Sequence, residues 1–534
     1  MSESKSQNYL HGAAILAVGV VIMKILGFLY KMPIGNIIGD DGYSMFLATY
    51  NIYNVFLSLA TAGLPIALSR LISEANAEGR PMQVRRTFTV AWRLFFWIGL
   101  FCTAIMLLLP EWMATAILHN PPTAMSIRAM APAVLLVCLV SAYRGYCQGC
   151  GNMIPTTVGQ VLEVLVKVVV GLVLAYIAMH MGLGKAMGSA GAIAGVTIGS
   201  LAALIYMWAY KKRNYKDDPT ADDMPDGNGH ILRRLLRIGI PIALGSSALA
   251  LLNLVDSSLC MGRLQSAAGY SLENAQTLYG VYGKAQTIFN LPAAIITPMT
   301  ISVVPAIAAA MVRGENDGAT KISEDSMRIV SVLSMPMGVG LAVLSAPIMR
   351  IIYPTSHASG PVLLAIMGAA SFFVCLVLME NAVLQAFGKE LLPMYTLITG
   401  GVVKIVINWF LVANPDINIY GAPVGTLVSY IVMAIMNFVF MCVVLDKNPR
   451  IGAICAKPLL CSVIMGACAW AVYGLASKLI GDTGRLELLL CLVLAMGVAV
   501  VVYMIAAISS RAITADDMEL IPGGKKIARL LHMN

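Results

Sequence analysis

Apolar positions along the chain gather into long runs, each about the ~20 residues that a helix needs to cross a hydrocarbon core, and short polar or Pro/Gly breaks separate them. The runs predict spans near 10–30, 43–68, 88–110, 125–148, 155–180, 187–210, 234–262, 277–311, 327–352, 360–387, 392–413, 419–445, 453–477 and 486–509. Backbone groups in hydrocarbon find no water, and these runs far exceed the length of barrel strands, so the elements are helices. The expected fold is an all-α polytopic membrane protein of about fourteen transmembrane helices. The first run, Leu10 to Tyr30, lacks a small-residue cleavage site and leads straight into another, so it is expected to remain in the protein.

Polar positions then set orientation and division. Most of the 36 Lys and Arg fall in Arg70 to Arg93, Lys211 to Arg237, Arg511 to Arg529 and other breaks on the same side. Because short cytoplasmic loops hold the positive excess, both termini are expected in the cytoplasm. The only long polar stretch runs from Lys211 through Asp217, Asp218, Asp222, Asp223 and Asp226 to Arg234, and it reads as a solvated connector, with a regulatory or lipid-headgroup contact as the alternative. It divides the chain into an N-lobe (1–210), a linker (211–232) and a C-lobe (233–446). An added pair of spans (447–510) and a cytoplasmic tail (511–534) follow.

The lobes look like copies. Cys138-Leu139-Val140, Gln148, Gly151 and Val166-Lys167 recur as Cys375-Leu376-Val377, Gln385, Gly388 and Val403-Lys404; Gly191-Ala192 and Gly195 answer Gly421-Ala422 and Gly425; Leu64-Pro65 answers Val304-Pro305. Six helices return the chain to the same side, so the repeats are parallel and pseudo-symmetric.

Composition agrees with this pattern. Of 534 residues, 59% are apolar and 12% charged, against about 25% charged in a soluble domain, which excludes a water-soluble globule. The net charge of +9 sits at span ends and forms no basic stripe, so nucleic acid is not an expected partner. The eleven cysteines are scattered singly as small hydrophobes, and Cys147 and Cys150 have redox spacing without a redox context. The six histidines make no metal-ligand spacing, and no phosphate-binding glycine loop is present, so no metal or nucleotide cofactor is expected. A coupling cation or the membrane potential is the expected energy source.

Seven charges lie inside the predicted spans: Lys24, Glu163, Lys167, Asp256, Lys284, Glu380 and Lys404. Exposing all of them to lipid would cost on the order of 20 kcal/mol, so they belong in a protein interior or a hydrated cavity. Glu163 and Lys167 stand four apart, acid first, the order that favours an intrahelical pair. Lys24 and Lys284 lie near span ends, where a long stem can snorkel. Lys404 is near the middle of its span with no acid within a turn, and is the foremost cavity candidate. Asp256, Glu380 and Glu163 are candidates for charge pairing or for binding a coupling cation or proton. A cavity shared by the lysines would suit an anionic headgroup. Proline removes a backbone donor and kinks a helix, which makes Pro65, Pro292, Pro298 and Pro305 hinge candidates and predicts that the long eighth span bends or breaks.

Several of these residues carry a family resemblance. Lys24-Ile-Leu-Gly27, Gly63-Leu-Pro-Ile-Ala-Leu-Ser-Arg70, Arg144-Gly-Tyr-Cys-Gln-Gly149, Pro155-Thr156, Phe289-Asn-Leu-Pro292 and Ser302-Val-Val-Pro-Ala-Ile307 together resemble the MATE/oligosaccharide-flippase superfamily. Within it the chain is similar to the stage V sporulation protein B type and to the MurJ (MviN) lipid II flippases. The resemblance implies two six-helix lobes around a cationic cavity and the flipping of a lipid-linked oligosaccharide by alternating access, with Lys24, Lys284, Lys167 and Lys404 as pyrophosphate contacts. Lys24 stands where those flippases carry Arg, losing the planar fork. A second Arg is replaced by Tyr30, with Lys31 one residue, or about 100°, around the helix.

Three functions compete. The first is a flippase for a polyprenyl-pyrophosphate oligosaccharide or peptidoglycan precursor in a bacterial cytoplasmic membrane, with lipids and cell-envelope synthesis proteins as candidate partners. The second is a cation-coupled multidrug exporter of similar architecture, which would favour a cavity dominated by carboxylates. The third is a membrane glycosyltransferase, which would need an acidic metal-binding cluster outside the flexible linker.

Overall fold

Long helices follow from chain segments whose every backbone donor must be met locally, and the computed structural model contains long helices and no strand among the residues it describes, which are 19, 22–215, 223–445, 451–481 and 484–510. In order these are α1 (22–37), α2 (Gly39–Thr61), α3 (Leu64–Ala77), α4 (Pro81–Leu108), α5 (Ala124–Gly149), α6 (Ile154–His180), α7 (Lys185–Asn214) and α8 (Asn228–Ser266). They continue as α9 (Leu272–Val312), α10 (Asn316–Val343), α11 (Ser345–Ile352), α12 (Gly360–Ala386), α13 (Leu391–Leu411), α14 (Gly421–Val444), α15 (Ile451–Ile480) and α16 (Arg485–Ser509). Thirteen spans among the described residues are long and apolar enough to cross a membrane, α2 and α3 together making one of them. They correspond to the second through fourteenth expected spans; much of the first, with part of the linker and the whole tail, lies outside the described residues.

The chain forms two compact units, Met1–Gly280 and Val281–Asn534. The seventh span, α8, packs in the first of them against α2 and α3, although it follows the polar linker in sequence.

In the first unit, small residues let α6 and α7 approach closely. A Cβ on Gly195 would stand 2.5 Å from Gly171 Cα and 2.8 Å from the Lys167 carbonyl, and one on Gly199 would stand 2.5 Å from the Glu163 carbonyl. Such backbone contact is what drives helix association where lipid removes the hydrophobic incentive. The opposite face of α6 presents Leu165, Val169, Val173 and Tyr176 outward at helical spacing, the pattern of a lipid-facing stripe.

The linker is more than a solvated connector. Asp223 accepts from the backbone N–H groups of Met82 (2.8 Å) and Gln83 (2.9 Å), satisfying donors left open in the first turn of α4. Asp226 pairs with Arg80 (3.3 Å) and accepts from Gln83 Nε2 (3.3 Å), while its N–H donates back to Gln83 Oε1 (2.6 Å). Arg234, at the start of α8, reaches Glu74 at 2.6 Å.

In the second unit the repeat is visible in the packing. Gly425 of α14 faces the Lys404 carbonyl of α13, as Gly195 of α7 faces that of Lys167 of α6. Pro292, Pro298 and Pro305 lie inside α9, which runs unbroken through all three, so the expected break in the eighth span is absent. The interruption in the second span falls at Ala62–Gly63, with Pro65 in the first turn of α3, where its missing N–H costs nothing.

Candidate functional site: buried cations on the spanning helices

Helices α1, α5, α6 and α7 bring Lys31, Arg144, Glu163 and Lys167 of the first unit into one neighbourhood. Lys24 on α1 is exposed, whereas Lys31, about two turns further along, is half-buried. Between them in sequence, Tyr30 is buried and donates its hydroxyl to the Ala192 carbonyl at 2.7 Å. The ring thereby becomes a fixed wall, and Lys167 Nζ lies 5.8 Å from its centroid, within cation–π range. The ammonium groups of Lys31 and Lys167 are near enough to repel each other, and among the described residues neither has an ion-pair or hydrogen-bond partner.

The expected Glu163–Lys167 pair is not the one that forms. Glu163 Oε2 accepts from Arg144 Nη2 at 2.7 Å, and Glu163 Oε1 accepts from Ser200 Oγ at 3.1 Å. A guanidinium from α5 and a hydroxyl from α7 offer directed bonds from two neighbouring helices, which outcompete a flexible ammonium on the same helix. The first unit therefore sets three half-buried or buried cations, Lys31, Lys167 and Arg144, against the single carboxylate of Glu163. Asp256, on α8, is also buried in this unit.

In the second unit Lys284 on α9 has no exposed surface and does not snorkel; its Nζ lies 5.0 Å from the centroid of the buried Tyr353 ring. Lys404 is half-buried on α13. Glu380 on α12 is fully buried, and neither carboxyl oxygen makes a hydrogen bond of ordinary length among the described residues. Asn437 of α14 stands beside it, held by a 2.9 Å bond from its Nδ2 to Asn381 Oδ1, and no cation among the described residues pairs with Glu380. The described residues contain no group of three or more His, Cys, Asp or Glu that could hold a metal.

Two parts of this arrangement escaped the sequence. Arg144 sat near a span end, where a cation needs no partner, and only the fold shows Glu163 from the next span beside it. A groove of about 640 Å³ in the second unit is lined almost wholly by apolar side chains, among them Leu291 and Ile295 of α9, Met337 of α10, Met465 of α15 and Met496 and Tyr503 of α16. Apolar residues carry no special signal in a membrane protein, so nothing in the sequence marked it.

Residues 9–311 match the model of a family described as polysaccharide biosynthesis protein. The chain belongs to the polysaccharide biosynthesis protein family. Relatives of this family member in Bacillus subtilis include stage V sporulation protein B, 25% identical over 525 residues (97% of this chain, 98% of the relative), and the lipid II flippase MurJ, 23% identical over 453 residues (82% and 83%). Among solved structures it is similar to the lipid II flippase MurJ in an inward closed conformation, with TM-score 0.69 and 14% identity over 93% of this chain and 99% of that one. It is also similar to a multidrug resistance MATE family transporter of the MOP superfamily in an inward-facing conformation, with TM-score 0.66 and 16% identity over 83% and 98%. The chain therefore shares the fold of these two solved structures and, with thirteen helical spans long and apolar enough to cross a membrane among the described residues, is built as a multi-pass membrane protein.

Proposed function

We propose that this transporter flips a lipid-linked oligosaccharide or peptidoglycan precursor, carried on polyprenyl pyrophosphate, across a bacterial cytoplasmic membrane by alternating access, with both termini cytoplasmic. The observation that carries the reading is the pair Lys31 and Lys167: two ammonium groups on spanning helices that repel each other, while Glu163, the carboxylate near Lys167, is already engaged by Arg144 and Ser200. Cations are not left so in a low-dielectric setting without an anion to receive, and a pyrophosphate supplies charge of the right sign and multiplicity. In this reading Lys24, Lys284 and Lys404 give further contacts along the path, and Asp256 and Glu380 are coupling groups. Pro65 and the α9 prolines are the hinge candidates. The apolar groove takes part of the hydrocarbon tail. The lipid II flippase among the relatives supports the same substrate class.

The test replaces Lys31 and Lys167 together by Ala, and Lys404 by Ala separately, in a strain depleted of its own flippase. Expected is loss of complementation with unchanged membrane abundance, and accumulation of a lipid-linked intermediate on depletion of the wild-type chain. Full growth of both variants would overturn the reading. A drug-efflux assay in a pump-deficient host tests the exporter alternative, for which no resistance is expected.

A further inference from the structure

The Arg144–Glu163 pair is made in a manner that leaves it incomplete. Arginine meets a carboxylate best through two parallel N–H bonds, yet only Nη2 of Arg144 is used, and Nε is buried with no acceptor. Glu163 cannot supply the second oxygen, because Oε1 is turned to Ser200 Oγ. Half of the guanidinium edge is thus without an acceptor among the described residues: Nε is enclosed, and 16% of the side-chain surface is accessible. One turn along α6 from Glu163 stands Lys167, with Lys31 close to it. The three cations and one carboxylate leave an excess of two positive charges.

We propose that Arg144 is a diphosphate contact and that Glu163 is its resident counter-ion, displaced when substrate arrives. In the empty state Glu163 offsets the desolvation of Arg144. An arriving diphosphate offers adjacent anionic oxygens that fill both Nε and Nη2 and at the same time meet Lys167 and Lys31. Glu163 then keeps its bond from Ser200 and has Lys167 four residues on as a second neighbour. The exchange balances in charge: one anion leaves the guanidinium and another takes its place, with no proton or electron transferred. The inference rests on the pyrophosphate reading above and adds the residue that discriminates a diphosphate head from a neutral one.

The test measures binding of farnesyl diphosphate to the full-length protein in nanodiscs, with farnesol, inorganic pyrophosphate and added phosphatidylglycerol as comparison ligands. Glu163→Gln removes the competitor and is expected to bind farnesyl diphosphate several-fold more tightly than wild type. The double variant Arg144→Gln/Glu163→Gln keeps a neutral pair in place of the ion pair, so no buried charge is left alone, and is expected to bind roughly tenfold more weakly than Glu163→Gln, the loss of one charge-assisted group. Farnesol should not distinguish the variants. Inorganic pyrophosphate should follow the same order at lower affinity, and phosphatidylglycerol should not compete. If the double variant binds farnesyl diphosphate as tightly as Glu163→Gln, or if phosphatidylglycerol displaces it, the assignment of Arg144 is overturned. If wild type and Glu163→Gln both bind farnesol as well as farnesyl diphosphate, it is the pyrophosphate reading itself that fails.

Discussion

At the residue scale, what decides each charge is whether a directed partner can reach it from a neighbouring helix. Glu163 and Glu380 are both acids in apolar spans, yet Glu163 has Arg144 and Ser200 while Glu380 has only the amide of Asn437 beside it. A bare carboxylate in the latter setting would meet several kcal/mol of desolvation with no Coulombic return. Glu380→Gln, a neutral isostere, is therefore expected to keep wild-type membrane abundance and thermal stability, while Glu380→Lys is expected to lose the folded protein; a fluorescence-detected size-exclusion profile with a melting series reads both. The sequence made these charges conspicuous, since any ionisable group in a run such as that around Lys167 or Lys404 stands out. It could not tell which would pair, because the i, i+4 spacing of Glu163 and Lys167 is visible in a string and the approach of Arg144 from another span is not. Lys31 lies one residue from the position of the family's second Arg, and in the structure it is a cation that neighbours Lys167.

At the scale of elements, close helix approach places the chemistry. Lys167 and Lys404 each sit on a helix against which a glycine face from the following span is packed. A Cβ at Gly195 has no room beside Gly171, so Gly195→Val must part α6 and α7 and is expected to destabilise the fold by about 1–3 kcal/mol, measured as lower melting temperature and reduced transport. Gly497→Ala on α16, where an added Cβ meets nothing within 4 Å, is the control and is expected to be silent. Spans were legible because run length and polarity fix them almost alone, and the glycine correspondence between the halves was legible as spacing. The continuity of α9 was not, because proline in a membrane helix breaks it only where neighbouring groups fail to satisfy the freed carbonyls. The docking of Asp223 and Asp226 on the start of α4 was equally hidden, since an acidic stretch reads as solvated until a helix end with open N–H groups is seen next to it.

At the scale of the whole molecule, the first compact unit holds the buried cations and the second an apolar groove, and the function proposed above assigns the charged head of a substrate to the one and part of its tail to the other. Met337→Trp, which fills the groove, is expected to lower transport of a long-chain substrate several-fold at unchanged abundance, and to affect a short-chain analogue much less; equal loss for both chain lengths would detach the groove from the tail. The alkyl chains of common solubilising detergents have the chemistry of that tail. Extracted into micelles, the protein would meet them at concentrations far above any lipid ligand, and apparent dissociation constants would drift upward with surfactant content and fall again once the surfactant is exchanged for a bilayer disc.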